Sequence, residues 1–338
     1  MVPTAKAATI SNVTFVRPAK FYFSGYSNIP HITYFLIFMC FVYIVTVVGN
    51  VFLMSVIYLV RTLHTPKYMI VFNLALADLC GSSASIPKVV DALLFDRSDI
   101  VYEDCLSYMF FIYFFAEVQS WTLVIMAYDR FIAICFPLRY HSIVTKPAIA
   151  AMLLLVWVVL LSITASMVGL LDRHSFCGSL VIQNFICGMG LILGLACGDT
   201  SLVSNIAFVS FVLNLCLPPI LIILTYVCIA IALSRVASRK ERLKAAKTCT
   251  SHLILVTVYF IPLLYINIAY WDDLDRDAKI ISMILPDIIP PLLNPILYSL
   301  KTEEVLNSFK KLCNNMLSNT TMSKKVFTAM LTKWKVLK

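Results

Sequence analysis

Apolar residues in this chain gather into long blocks separated by polar loops. The blocks run at about 32 to 60, 68 to 90, 105 to 135, 148 to 171, 203 to 233, 250 to 271 and 278 to 300. A bilayer core about 30 Å thick is crossed by roughly 20 helical residues, so each block is long enough. In hydrocarbon the backbone must bond to itself, and blocks of this length therefore predict helices. The expected fold class is all-α integral membrane. It comprises a seven-transmembrane helix bundle at 31–300, an N-terminal segment at 1–30, and a short amphipathic helix with a tail at 301–338.

An eighth apolar stretch, Leu180 to Ala196, carries Gly188, Gly190 and Gly194 and is fenced by Cys177, Cys187 and Cys197. It reads as a packed, cysteine-tied loop, because an eighth crossing would break the charge pattern of the other loops. Gly190-x-x-x-Gly194 has the spacing of a helix-dimer motif, but so short a match arises often by chance. After the seventh block, Val305, Leu306, Phe309, Leu312, Cys313, Met316 and Leu317 recur at three- and four-residue spacing, with Lys310 and Lys311 opposite. That pattern predicts the amphipathic helix, lying on the membrane surface, with Cys313 a candidate for acylation.

At 60% hydrophobic and 13% charged residues, the composition excludes a soluble globule. The net charge of +9 is distributed unevenly. Arg61 and Lys67, Arg139 and Lys146, and Arg235, Arg239, Lys240, Arg242, Lys244 and Lys247 lie in the first, third and fifth connections, with Lys310, Lys311, Lys324 and Lys325 in the tail. Asp91, Asp96, Asp99, Glu103 and Asp104 lie in one of the remaining loops, and Asp272, Asp273, Asp275 and Asp277 in another. Basic residues stay in the cytoplasm, so the N-terminus is expected outside and the C-terminus inside, in the plasma membrane. The charge thus reports topology and attraction to membrane lipid, not nucleic-acid binding. Asn12-Val13-Thr14 is then an exterior glycosylation sequon, and Asn319-Thr320-Thr321 an unused interior one. Met1 to Lys20 lacks the apolar core of a signal peptide, which leaves targeting to the first span.

The eleven cysteines divide by side. Cys105, Cys177, Cys187 and Cys197 fall outside, where disulfides persist, and the others face the bilayer or the reducing interior. Four cysteines allow three pairings, and the residues alone leave all three open. Enzyme chemistry is absent from the sequence: there is no His-Glu-x-x-His, no Gly-x-Ser-x-Gly and no phosphate-cradling glycine loop, and the five histidines are scattered.

Polar residues inside the blocks say more. Asn50, Asp78, Asn294 and Tyr298 would each cost free energy against lipid, so an inward-facing, hydrogen-bonded polar core is expected. Asp129 and Arg130 stand together near the end of the third block, a costly pair that marks a working part. Pro218, Pro219, Pro262, Pro290, Pro291 and Pro295 each remove a backbone donor and loosen the last three helices.

Asn50, Asp78, Asp129-Arg130, Trp157, Pro218, Pro262 and Asn294-Pro295-Ile296-Leu297-Tyr298 together resemble the rhodopsin-like G-protein-coupled receptors over nearly the whole chain. Leu63-His64-Thr65-Pro66-Lys67-Tyr68-Met69, the run Met126 to Cys135, the run Lys244 to Leu253 and Pro291-Leu292-Leu293-Asn294-Pro295 narrow the resemblance to the olfactory receptors. Ile112 and Ile288 stand where amine receptors carry an Asp and opsins a Lys, which sets those groups apart. The resemblance implies the bridges Cys105 to Cys187 and Cys177 to Cys197, no cofactor, and a small-molecule odorant held in the outer half of the bundle. By position Tyr113, Ala116, Glu117, Ser210, Asn214, Phe260, Leu263, Asn267 and Asp287 would line that pocket. It further implies that Asp129, Arg130, Tyr226, His252, Asn294, Pro295 and Tyr298 serve activation and coupling to a heterotrimeric G protein. That protein would have a stimulatory, olfactory-type α subunit and raise cyclic AMP as span six pivots at Pro262. A rhodopsin-like receptor for a peptide or lipid shares the inner motifs and is the alternative.

Two departures qualify the resemblance. Gln119 replaces the Glu usually set beside the span-two acid, which argues against sodium binding with Asp78, and Asn184 with Gly188 replaces a His and an acid, so no metal is expected in that loop. Glu117 and Asp287 are carboxylates at membrane depth with no basic residue in the same spans. Either a cationic or strongly hydrogen-bonding ligand anchors on one of them, or each is a neutral acid bonded to a neighbouring backbone or hydroxyl group.

Overall fold

The computed structural model describes residues 17–24, 32–95, 97–177, 179–182, 186–236, 238–268, 285, 288–298, 305 and 307. Asn12, Asn184, Asp287, Cys313 and most of the expected terminal helix lie outside the described residues, as does the side chain of Asn267.

Along the chain come β1 (Lys20–Phe23), α1 (Ile32–Leu59), α2 (Pro66–Leu94), β2 (Asp99–Val101), α3 (Tyr102–Cys135), the short α4 (Tyr140–Ile143) and α5 (Lys146–Leu171). They are followed by β3 (Ser175–Phe176), β4 (Val181–Ile182), α6 (Met189–Leu193), β5 (Ala196–Cys197), α7 (Ser201–Phe211), a π-helical turn at Val212–Cys216, α8 (Leu217–Ser234) and α9 (Arg239–Ile268). The helix Ile288–Tyr298 is α10. Among the described residues, six stretches are long and apolar enough to cross a membrane: α1, α2, α3, α5, the rod Ser201–Ser234, and α9 over Arg239–Tyr265. Of the seventh block, the described part is the shorter apolar helix α10.

Helix α1 explains why such a bundle holds together in lipid. Its buried stripe is Met39, Val42, Thr46, Asn50, Leu53, Val56 and Ile57, at three- and four-residue spacing. The exposed stripe is Tyr34, Ile37, Phe38, Phe41, Ile44, Val48 and Val51. The buried stripe admits the polar Thr46 and Asn50 among apolar side chains, while the outward face is rich in large apolar groups, unlike that of a helix on a water-soluble core.

One end of the bundle is capped by strands. β1 lies between β2, antiparallel, and β4, parallel, while β3 pairs with β5. An all-α expectation omitted these strands. Two-residue strands carry no periodic signal, but Lys20-Phe21-Tyr22-Phe23 does alternate, and its two phenylalanines are buried. Phe21 packs its ring 5.7 Å from Tyr102 and 5.5 Å from Phe176. The described parts of the stretch Leu180 to Ala196 pack as a loop, with Met189 and Ile192 buried in the strand-end core. Cys105 bridges Cys187 and Cys177 bridges Cys197, the pairing that the family resemblance implied.

Helix α9 begins at Arg239, well before the expected 250. The amide of Glu241 donates to the Ser238 hydroxyl at 3.4 Å, and Ser238-x-x-Glu241 has the sequence of a capping box. The polar first turns form a helix beyond the apolar block because Arg, Lys, Glu and Ala all favour helix.

Candidate functional site

Glu117 sits near the middle of α3, 7% exposed. Three donors converge on it. Thr164 of α5 donates to Oε2 at 3.0 Å, while Ser210 of α7 and Asn214 of the π turn donate to Oε1 at 3.2 and 3.0 Å. A carboxylate has about four acceptor positions, so one on Oε2 is left by these three. Asn214 is the hub of the cluster: its amide also donates to Ser210 Oγ at 3.1 Å and its Oδ1 accepts Trp121 Nε1 at 2.9 Å. Its backbone carbonyl accepts Ser120 Oγ at 3.0 Å.

The other residues expected around a ligand are placed as follows. The Tyr113 hydroxyl accepts the Met189 amide at 3.2 Å, tying α3 to the strand-end loop. The Ala116 carbonyl accepts the Tyr259 hydroxyl at 2.5 Å, tying α3 to α9 beside Glu117. Phe260 and Leu263 pack with the core of the opposite end, Phe260 edge-on to Tyr259 at 4.9 Å. The structure therefore brings Glu117, Ser210 and Asn214 into direct contact.

Between the two ends runs a polar seam. Asn294 donates to Asp78 Oδ2 at 2.7 Å, and Asn50 donates to the carbonyls of Thr46 and Pro291 at 2.9 and 3.0 Å. Gln119 is buried beside Gly81, where an added Cβ would meet Phe115 Cβ at 3.1 Å and Gln119 Nε2 at 3.4 Å. Tyr298 reaches Met126 Sδ at 3.3 Å, and Pro295 packs on Gly49, where a Cβ would meet its Cγ at 3.0 Å. One hub escaped the sequence reading. Asn73 donates to Thr122 at 2.8 Å and accepts from Trp157 at 2.8 Å, joining α2, α3 and α5. The signal was available, since an Asn five residues before Asp78 in an apolar block carries the same cost as Asn50.

At the far end, Arg130 lies 3.9 Å from Asp129, a loose pair. The tighter partner of Asp129 is Tyr140 of α4, whose hydroxyl donates to Oδ1 at 2.8 Å. Burial first, then the Asp129 charge, pushes the Tyr140 phenol well up from its ordinary value, so it remains a donor. Tyr226 of α8 and His252 of α9 are hydrogen-bonded at 2.9 Å with stacked rings. Glu117 and Arg130 are 13 residues apart on one helix, about 20 Å at 1.5 Å per residue. One rigid element therefore spans the buried acid and the arginine.

Comparison with known proteins places the chain in a family. A family model described as Olfactory receptor matches residues 39–316. The chain is similar to "Olfactory receptor 1" of Rattus norvegicus, 34% identical over 270 residues that cover 80% of this chain and 86% of that protein. "Olfactory receptor 1J1" of Homo sapiens is 33% identical over 270 residues, 80% of this chain and 84% of its own length. "Olfactory receptor 8G17" of Mus musculus is 32% identical over 297 residues, covering 87% and 96% respectively.

Proposed function

Because this chain belongs to the olfactory receptor family, and is thus an odorant-type receptor of the multi-pass membrane class and not an enzyme, we propose how it senses and signals. It crosses the plasma membrane seven times, with the strand end outside and the Arg130 end in the cytoplasm. A small, mostly apolar odorant carrying a hydrogen-bond donor binds between α3, α7, α9 and α10, among Tyr113, Ala116, Glu117, Ser210, Asn214, Phe260, Leu263, Asn267 and Asp287. The buried Glu117 cluster carries this reading. It gathers donors from two other spans and has an acceptor position to spare.

The ligand favours the conformation in which α9 has pivoted at Pro262. The Tyr259 bond to Ala116 supports that route, because it joins α9 to the residue next to Glu117. Pivoting parts His252 from Tyr226 and frees Arg130 from Asp129, opening a groove for the C-terminal helix of a stimulatory, olfactory-type G-protein α subunit. Moving the equilibrium from mostly closed to mostly open asks for roughly 5.5 kcal/mol of differential binding.

The test is cyclic AMP in cells expressing surface-checked variants. Glu117→Gln should shift responses to donor-bearing odorants by about ten- to a hundred-fold, the scale of a hydrogen bond to a charged group. Arg130→Ala should abolish the rise at normal surface level. Unchanged responses to every active odorant would remove Glu117 as the anchor, and a full response without Arg130 would refute the coupling scheme.

A further inference from the structure

We propose that the receptor holds one anionic phospholipid in a cavity of about 350 Å³ on the side of α2 between α1 and α5, at the Arg130 end. Tyr58, His64, Phe72, Leu76, Lys146 and Leu153 supply most of its wall. Most of the lining is apolar, and the two basic groups, Lys146 and His64, come from the first residue of α5 and the turn before α2. From Lys146 to Leu153 is about 10 Å of helix, against about 15 Å for one leaflet of hydrocarbon. The cavity therefore reaches from headgroup level well into the acyl layer, and its depth fits a glycerol and the first methylenes of a chain.

Three considerations choose the occupant. An apolar cavity beside lipid gives water too few partners to stay, so a lipid fills it. Lys146 pairs with no acid among the described residues, which leaves its three donors for a phosphate or carboxylate. A choline headgroup would set a quaternary ammonium against that lysine, whereas phosphatidylserine brings net negative charge to it. Occupancy also touches the bundle's interior, because Asn73, which ties α2 to α3 and α5, is among the residues lining the cavity.

The experiment is native mass spectrometry of the full chain, purified with equal amounts of phosphatidylserine, phosphatidylcholine and cholesterol. Phosphatidylserine adducts should exceed phosphatidylcholine adducts by roughly five-fold, the factor one basic residue at headgroup level gives. The preference should vanish in Lys146→Glu, persist in Lys146→Arg, and fall with all adducts at this site in Leu76→Trp, which fills the cavity. Lys146 is exposed, so its variants keep the fold, and an unchanged thermal transition checks this. Parity between the two phospholipids in the parent protein would overturn the proposal. So would a preference that survives Lys146→Glu, or cholesterol adducts that survive Lys146→Glu but disappear in Leu76→Trp.

Discussion

Proline subtracts a donor and strands an acceptor one turn earlier, and this protein answers both debts from neighbouring helices. The Pro291 carbonyl would have received the amide of residue 295, which is Pro295; Asn50 of α1 donates to it instead. The Asn214 carbonyl would have received residue 218 in an α turn or residue 219 in a π turn. Both are proline, and Ser120 of α3 donates there. Asn50→Ala should therefore destabilise the detergent-solubilised receptor by about 1–3 kcal/mol, the cost of a buried group left unmade. The loss should shrink in a Pro295→Ala background, where an alanine amide supplies the missing donor, giving a coupling of about 0.5–3 kcal/mol in thermal unfolding. Equal losses in both backgrounds would refute the pairing. At this scale the sequence was half legible. Glu117, Asp78 and Asn50 announced themselves by their cost in hydrocarbon, but their partners did not. Choosing Thr164 over Ser162 on α5 requires the azimuth of that helix to better than one residue, and only packing sets it.

The spans were legible as elements because a hydrocarbon slab demands length and apolarity, and both can be counted along a chain. The cap at the strand end was less so, since pairing across β1, β2 and β4 joins residues distant in sequence. Lys20 on β1 meets Asp99 on β2 at 2.6 Å. Hydrogen bonding to that ammonium holds the Asp99 carboxyl below its ordinary value. The folded value is depressed, so this contribution is complete above the unfolded aspartate value of about 4 and is lost as pH falls through the lower folded one. Hydrogen exchange at the β1 and β2 amides, corrected for intrinsic rates, should keep its protection down to about pH 4 and lose it below. Asp99→Asn should flatten that drop, and a drop of the same size in the variant would assign it elsewhere.

Taken whole, the molecule is fastened unequally. Its strand end carries two disulfides, a three-stranded sheet and the Arg17 to Asp172 ion pair. The opposite end is joined by hydrogen bonds such as Tyr226 to His252 and Tyr140 to Asp129. Rearrangement on odorant binding should concentrate there. Spin labels at the exposed Tyr58 and Leu243 should move apart when odorant is added, while labels at Tyr34 and Leu202 should keep their spacing. Movement at the strand end alone would contradict this. The family was legible in four local motifs, yet the π turn at Val212–Cys216 was not, and it governs everything after it in that rod. Rewinding those five residues to a plain α-helix with none removed would turn the remainder of the rod by about 100°, like a key in a lock. Ile222 and Ile229 would swing from the interior toward lipid, and Tyr226 would lose its stacked histidine. The length of that turn is thus a gauge of handshake between two helices, set ten residues upstream of the tyrosine it aligns.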